Sequence, residues 1–328
     1  MPVQRRIVKI ANQTALTMKK KKRKVISGVI NHCYQRTVNG YLLFYDVFDC
    51  LVYFTLFCTT VRKHDVRAVA VTIMPDHLHS SLVASYKKEL SSCIQEITGQ
   101  YALLNNIECN RKTALFQHPF GSVPKVGDKA ARTNIIYLGN NPVERHICDK
   151  AEQYRWNFLA YAVSSNPFSE PIVLRKASKN MRNAVKEVKQ MNALNKNLGY
   201  ATLHRLFRKL DKRERQQLID FIIVTYNVID YEYASSLFGS YNNMIHAMHC
   251  TTGSEYELKE TRTGKTDKSY SAVTTYLKEF LNINDIHKVF DLPETQRQNL
   301  FLQILKIIDI TPEQLAKYLR ITIHKRDQ

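Results

Sequence analysis

The spacing of apolar positions changes period several times along the chain, and each change predicts an element. Residues 29–37 are β-rich, while residues 46–63 carry apolar side chains at 48, 51, 52, 54, 56, 57 and 61 and are too long for one strand, so they predict a helix. Residues 67–73 read Arg-Ala-Val-Ala-Val-Thr-Ile, a nearly continuous apolar strand. Met74-Pro75-Asp76 is a turn signal, and residues 77–83 form the second arm of the hairpin that it implies. Residues 86–106 place Leu90, Ile94, Ile97, Tyr101 and Leu104 on one helical face, residues 114–120 return as a strand, and a third helix follows over 128–139. The order β-α-β-β-α-β is that of a ferredoxin-like antiparallel sheet with two helices on one face, an α+β fold.

The pattern changes after Trp156. Residues 164–171 hold two prolines and three serines and predict a boundary. Beyond it the periodicity is helical: residues 175–197 are basic and amphipathic, and 203–227 and 300–308 repeat apolar positions at helical spacing. Thr311-Pro312-Glu313-Gln314 is a helix start, with Thr as N-cap, Pro at the first position and Gln in the capping-box place. Segments 300–308 and 311–319 suit the two helices of a helix-turn-helix DNA-binding unit. The expected organisation is a basic arm over 1–24, a catalytic domain over 25–165 and an all-α C-terminal domain over 166–328.

Composition narrows the class of partner. The chain has 328 residues, 44% hydrophobic and 23% charged, which is the make-up of a globular protein. Its longest uncharged apolar stretch, residues 51–58, falls well short of the roughly 18 residues that a membrane span needs. The N-terminus has no apolar stretch before a small-residue cleavage site, so a cytoplasmic, nucleoid-associated location is expected. Seven cysteines without a Cys-x-x-Cys pair argue against a disulfide framework or a zinc ribbon. Forty-eight Lys and Arg against 29 Asp and Glu leave +19, which points to a polyanion, because cations that neutralise phosphates release condensed counterions. A merely solvated positive surface is the bland alternative. Residues 1–24 hold nine basic residues and no acidic one, and Lys20, Lys22 and Arg23 belong to the run that would lie on phosphate.

Met74-Pro75-Asp76-His77-Leu78-His79 carries the first candidate chemistry. Side chains alternate on a strand, so His77 and His79 project from one face, about 7 Å apart along the strand, while Leu78 enters the other. Two such imidazoles can converge on one divalent metal, although a lone His-x-His often arises by chance. The second cluster runs over 135–145. Tyr137 and Asn141 are four residues apart and share a helix face, and Pro142 predicts that Asn141 sits in a frayed last turn, where its amide oxygen is a candidate ligand. The bland reading of Tyr137 is an aromatic at a helix–sheet contact.

These residues, with Phe116-Gln117-His118-Pro119-Phe120-Gly121, resemble the IS200-like single-tyrosine transposases of the His-hydrophobe-His class, and within them the REP-associated tyrosine transposases. The resemblance covers about residues 25–165. It implies His77 and His79 as metal ligands, Tyr137 as nucleophile and Asn141 as third ligand. It further implies single-stranded or hairpin DNA as substrate, cleaved and rejoined through a 5′-phosphotyrosine; homodimers are common among its mobile members, and the REP-associated branch leaves that open. Two imidazoles and a carbonyl oxygen with open positions suit Mg²⁺ or Mn²⁺ and would also accept Zn²⁺ or Co²⁺. Arg36, His118, Arg145 and Arg155 are candidate DNA contacts, against ordinary surface or structural roles. Trp156, the single tryptophan, reads as core. The competing reading is a catalytically silent DNA-hairpin-binding protein.

Overall fold

The computed structural model describes residues 23–117, 119–250 and 266–322; Lys20, Lys22 and His118 lie outside them. Four strands, β1 (Ile30–Arg36), β2 (Arg67–Ile73), β3 (His77–Val83) and β4 (Gly121–Lys125), form one antiparallel sheet in the order β2-β3-β1-β4. Helix α1 (Val47–Lys63) joins β1 to β2, and α2 (Lys87–Glu108) joins β3 to β4. The architecture is α+β with a helical C-terminal region, as the periodicity predicts.

Helix α1 starts where the Asp46 carboxylate accepts hydrogen bonds from the backbone N–H groups of Phe48 and Asp49, and the Asp49 carboxylate accepts from Asp46 N in return. Every residue of α1 from Asp49 to Val61 is buried. A helix apolar on all sides needs cover on all sides. The second layer is the C-terminal region: Leu198 N donates to Thr55 Oγ1 at 3.1 Å, and Arg62 donates to Tyr226 O at 2.6 Å. Helices α4 (Lys179–Ala193), α5 (Tyr200–Phe207), α6 (Lys212–Tyr226), α7 (Tyr231–Ser236) and α8 (Tyr241–Cys250) share one continuous apolar core with the sheet. Residues 203–227, expected as one helix, divide at Asp211, whose carboxylate accepts from Glu214 N and starts α6.

Three further helices, α9 (Ser269–Phe280), α10 (Glu294–Ile304) and α11 (Pro312–Leu319), build a second core with Leu42 and Tyr45 from the loop after β1. The Thr311–Gln314 capping box opens α11 as expected. Gln314, Leu315, Ala316, Tyr318 and Leu319 of α11 are buried, the last four in this second core. Among the described residues no helix is long and apolar enough to cross a membrane.

Two local expectations change. The last strand is Gly121–Lys125 and not 114–120; from the earlier run only Phe116 bridges to Thr37. Gly121 and Pro124 disguise the strand, but β4 is an edge, where a missing N–H is tolerated, and the Tyr34 ring lies so close over Gly121 that a Cβ there would meet it at 2.2 Å. The helix expected over 128–139 continues as α3 (Asp128–Glu144) straight through Pro142. Proline cannot donate to the carbonyl four residues back, Leu138 O. Thr72 Oγ1, from β2, donates to that oxygen instead at 2.8 Å, and Asn157 Nδ2 donates to Gly139 O at 2.7 Å. The sheet thus supplies what the proline withholds.

Candidate active site

The sheet's two faces are used differently. Leu78 and Cys33 face α1 and α2 with Tyr53, Phe57 and Ile94. The opposite face carries His77 and His79 and receives α3, where Ser81 Oγ donates to Asn134 Oδ1 at 2.6 Å. The alternation expected of His77-Leu78-His79 holds, and the two imidazole rings lie 4.7 Å apart, centroid to centroid.

Tyr137 comes down from α3 onto this face. Its hydroxyl lies 3.4 Å from His79 Nε2, and its ring is 5.3 Å from the His79 ring, edge to face. One turn on, Asn141 is 1% exposed, and its Oδ1 is buried with no hydrogen bond among the described residues. One further turn brings Arg145, whose guanidinium stands 3.9 Å from Asp76 Oδ1. Asp76 Oδ1 in turn holds His77 Nδ1 at 2.5 Å. The face of α3 therefore begins against His79 and ends against Asp76, the carboxylate that holds His77, with Asn141 between Tyr137 and Arg145 along the helix. A buried amide oxygen without a donor costs about 1–3 kcal/mol, which makes Asn141 Oδ1 a candidate to meet an electron-pair acceptor. The donor set fits a divalent cation: two imidazoles and one amide oxygen.

Three residues of this site are not among the candidates read from sequence. His32, on β1, is buried, and its Nε2 lies 3.0 Å from His79 Nδ1. Its ring is 5.6 Å from that of Tyr137. Asp76, read from sequence as a turn residue, is an electrostatic hub: Lys317 Nζ from α11 reaches its Oδ2 at 2.8 Å. Burial works to raise the Asp76 carboxyl pKa, but His77, Lys317 and Arg145 outweigh it and hold the group well below the ordinary carboxylate range. Asp267 is the third: it stands 3.8 Å from Arg145 and accepts from Gln314.

The candidate DNA contacts are placed as follows. Arg36 is exposed at the end of β1, opposite His77 in the register. Arg145 is turned inward between Asp76 and Asp267. Arg155 lies 3.5 Å from buried Asp220 and over the Phe168 ring at 4.7 Å. Arg23 sits over the Phe120 ring at 4.4 Å. Trp156 is half-buried against the core.

A second group with metal-ligand chemistry, Glu108, Asp285 and His287, has its ligand atoms within 4.8 Å of one another, beside Asp49 in the first turn of α1. Both nitrogens of His287 already face carboxylates, Nδ1 to Asp285 at 3.0 Å and Nε2 to Asp49 at 3.2 Å. Burial opposes a charge on His287, yet Asp49 and Asp285 outweigh it and keep its pKa well above the usual value. With a carboxylate on each nitrogen, His287 joins α1 to the C-terminal region as a charge-paired contact.

No protein-family model matches the chain, and no curated protein matches it. Among solved structures, a REP-associated tyrosine transposase bound to a REP hairpin is similar over 44% of this chain and 86% of that one, at 17% identity and a TM-score of 0.39.

Proposed function

We propose that the protein is a metal-assisted nuclease and strand transferase of the REP-associated tyrosine transposase kind, which opens and rejoins single-stranded or hairpin DNA. The observation that carries this reading is the approach of the Tyr137 hydroxyl to His79 Nε2, at 3.4 Å, beside the buried Asn141 amide oxygen, which accepts no hydrogen bond among the described residues. The +19 charge supports a polyanionic substrate.

His77, His79 and Asn141 would hold a divalent cation, Mg²⁺ or Mn²⁺. When bound, such an ion polarises a phosphate and absorbs its developing charge. Everything else falls to the protein. Tyr137 Oη attacks phosphorus in line; the new bond is tyrosine oxygen to phosphorus, and the broken bond is phosphorus to O3′. The phenol loses its proton and the departing O3′ gains one, leaving a 5′-phosphotyrosine and a free 3′-hydroxyl. A phenol with an ordinary pKa near 10 is a poor nucleophile, so proximity and a cationic setting must activate it. The step conserves the phosphodiester energy, and a second 3′-hydroxyl reverses it without ATP. Asp76 and Arg145 position His77, and the pinned backbone of α3 positions Tyr137.

The test is a covalent-adduct assay with labelled hairpins taken from sequence flanking the gene, with Mn²⁺ or EDTA, beside Tyr137→Phe. A denaturant-resistant labelled band that needs the metal and disappears in the variant is expected. Hairpin binding without any adduct would instead make the chain a catalytically silent DNA-hairpin-binding protein.

A further inference from the structure

We infer that His32 is a positioning residue that fixes the tautomer of His79, accepting its Nδ1 proton so that the Nε2 lone pair points toward Tyr137 and the proposed cation. The inference rests on the metal-assisted reading of this site and specifies how one ligand is held.

The two rings meet nitrogen to nitrogen, His32 Nε2 to His79 Nδ1, at 3.0 Å. One proton lies between them, and it belongs to one of the two nitrogens. If it sits on His32, a neutral His79 must carry its own proton on Nε2, which then cannot serve as a ligand. If it sits on His79, Nε2 keeps its lone pair, and the Tyr137 hydroxyl 3.4 Å away has an acceptor. The second arrangement matches what is built around the neighbouring ligand. There, His77 Nδ1 lies 2.5 Å from Asp76 Oδ1, a contact in which the imidazole N–H donates and the carboxylate oxygen accepts. Both candidate ligands are thus gripped at Nδ1 and offer the same edge outward. Ligand histidines are commonly oriented by a partner on the nitrogen away from the metal.

The geometry leaves His32 little freedom. It is 2% exposed, pairs in register with Ser81 and is flanked by the rings of Tyr34 and Tyr137, each 5.6 Å away. A neutral imidazole acceptor also has an electrostatic advantage over a second carboxylate. It orients His79 without adding negative charge where a phosphate must enter.

Histidine-ring ¹⁵N NMR on the metal-free protein tests the assignment directly. The Nδ1–H form of His79 is expected, giving way to a mixture of tautomers in His32→Phe. A proton found on His79 Nε2 in the wild type, or an unchanged His79 in His32→Phe, overturns the inference. Mn²⁺ binding followed by electron paramagnetic resonance gives the second readout. Affinity should fall on the order of 10–100-fold in His32→Phe and return in large part in His32→Gln, whose amide oxygen can accept. Equal affinity in the wild type and both variants overturns the positioning role. A wild-type protein with the expected tautomer but no Mn²⁺ affinity leaves His32 in its role and overturns the metal-assisted reading.

Discussion

Replacing Thr72 by Val removes one hydroxyl from a fully buried position and leaves Leu138 O, on α3, without its donor. Because Pro142 has no N–H to offer, no intrahelical bond can take over. An orphaned buried carbonyl costs about 1–3 kcal/mol, and since valine keeps the shape and adds an apolar methyl, the net loss should be about 1–2 kcal/mol. The argument makes a sharper claim about the pair. Pro142→Ala restores an N–H opposite Leu138 O, so it should stabilise the Thr72→Val protein by about 1–2 kcal/mol more than it stabilises the parent. Urea unfolding of the parent, both single variants and the double variant, followed by circular dichroism, closes this cycle. Effects that add to within about 0.5 kcal/mol would refute the idea that Thr72 substitutes for the missing helix bond.

Three other outcomes can be stated briefly. Gly121→Ala forces the Tyr34 ring off β4 and should cost about 1–3 kcal/mol in urea unfolding, with the loss relieved when Tyr34→Ala is added. Lys317→Met keeps the apolar stem but removes a half-exposed ammonium 2.8 Å from Asp76, so the loss should be about 1 kcal/mol, larger at low salt than at high salt in thermal melts. The His287–Asp49 pair stabilises through a raised histidine pKa and a lowered aspartate pKa. Its histidine part is fully present below about pH 6.5 and fades as pH climbs through the raised value; its aspartate part is present above about pH 3.9 and fades as pH falls through the lowered one. The stability gap between the wild type and His287→Gln should therefore be widest between those limits and shrink toward alkaline pH; a gap that grows from pH 7 to 10 would contradict the pairing.

What could be read from sequence is what periodicity controls. His77 and His79 share a face because strands alternate, Tyr137 and Asn141 because helices repeat, and the Thr311–Gln314 cap is written in four consecutive residues. Strand β4 escaped because Gly121 and Pro124 answer to a ring overhead and to an edge, which neighbours in sequence do not reveal. The frayed turn predicted at Pro142 failed for a related reason: its compensation comes from Thr72, on another element. His32 and Lys317 were illegible because they reach the site from 47 residues before His79 and 241 after Asp76. The inward turn of Arg145 follows from Asp76 and Asp267, which no local pattern brings together.

The salt links between the two ends of the chain bear on its inheritance and its synthesis. Asp46, Asp49 and Asp76 lie within the first quarter of the sequence, yet their counter-charges Lys278, His287 and Lys317 lie in the last. A chain cut near residue 165, or a nascent one that has grown only that far, would carry three carboxylates that each lack one of their cationic partners. Loss of the last helices would leave Asp46, Asp49 and Asp76 each short of one counter-charge, so a shorter relative of this chain must balance them by other means. During translation, the same dependence delays the finished electrostatics of the Asp76–His77 corner until residue 317 has been made.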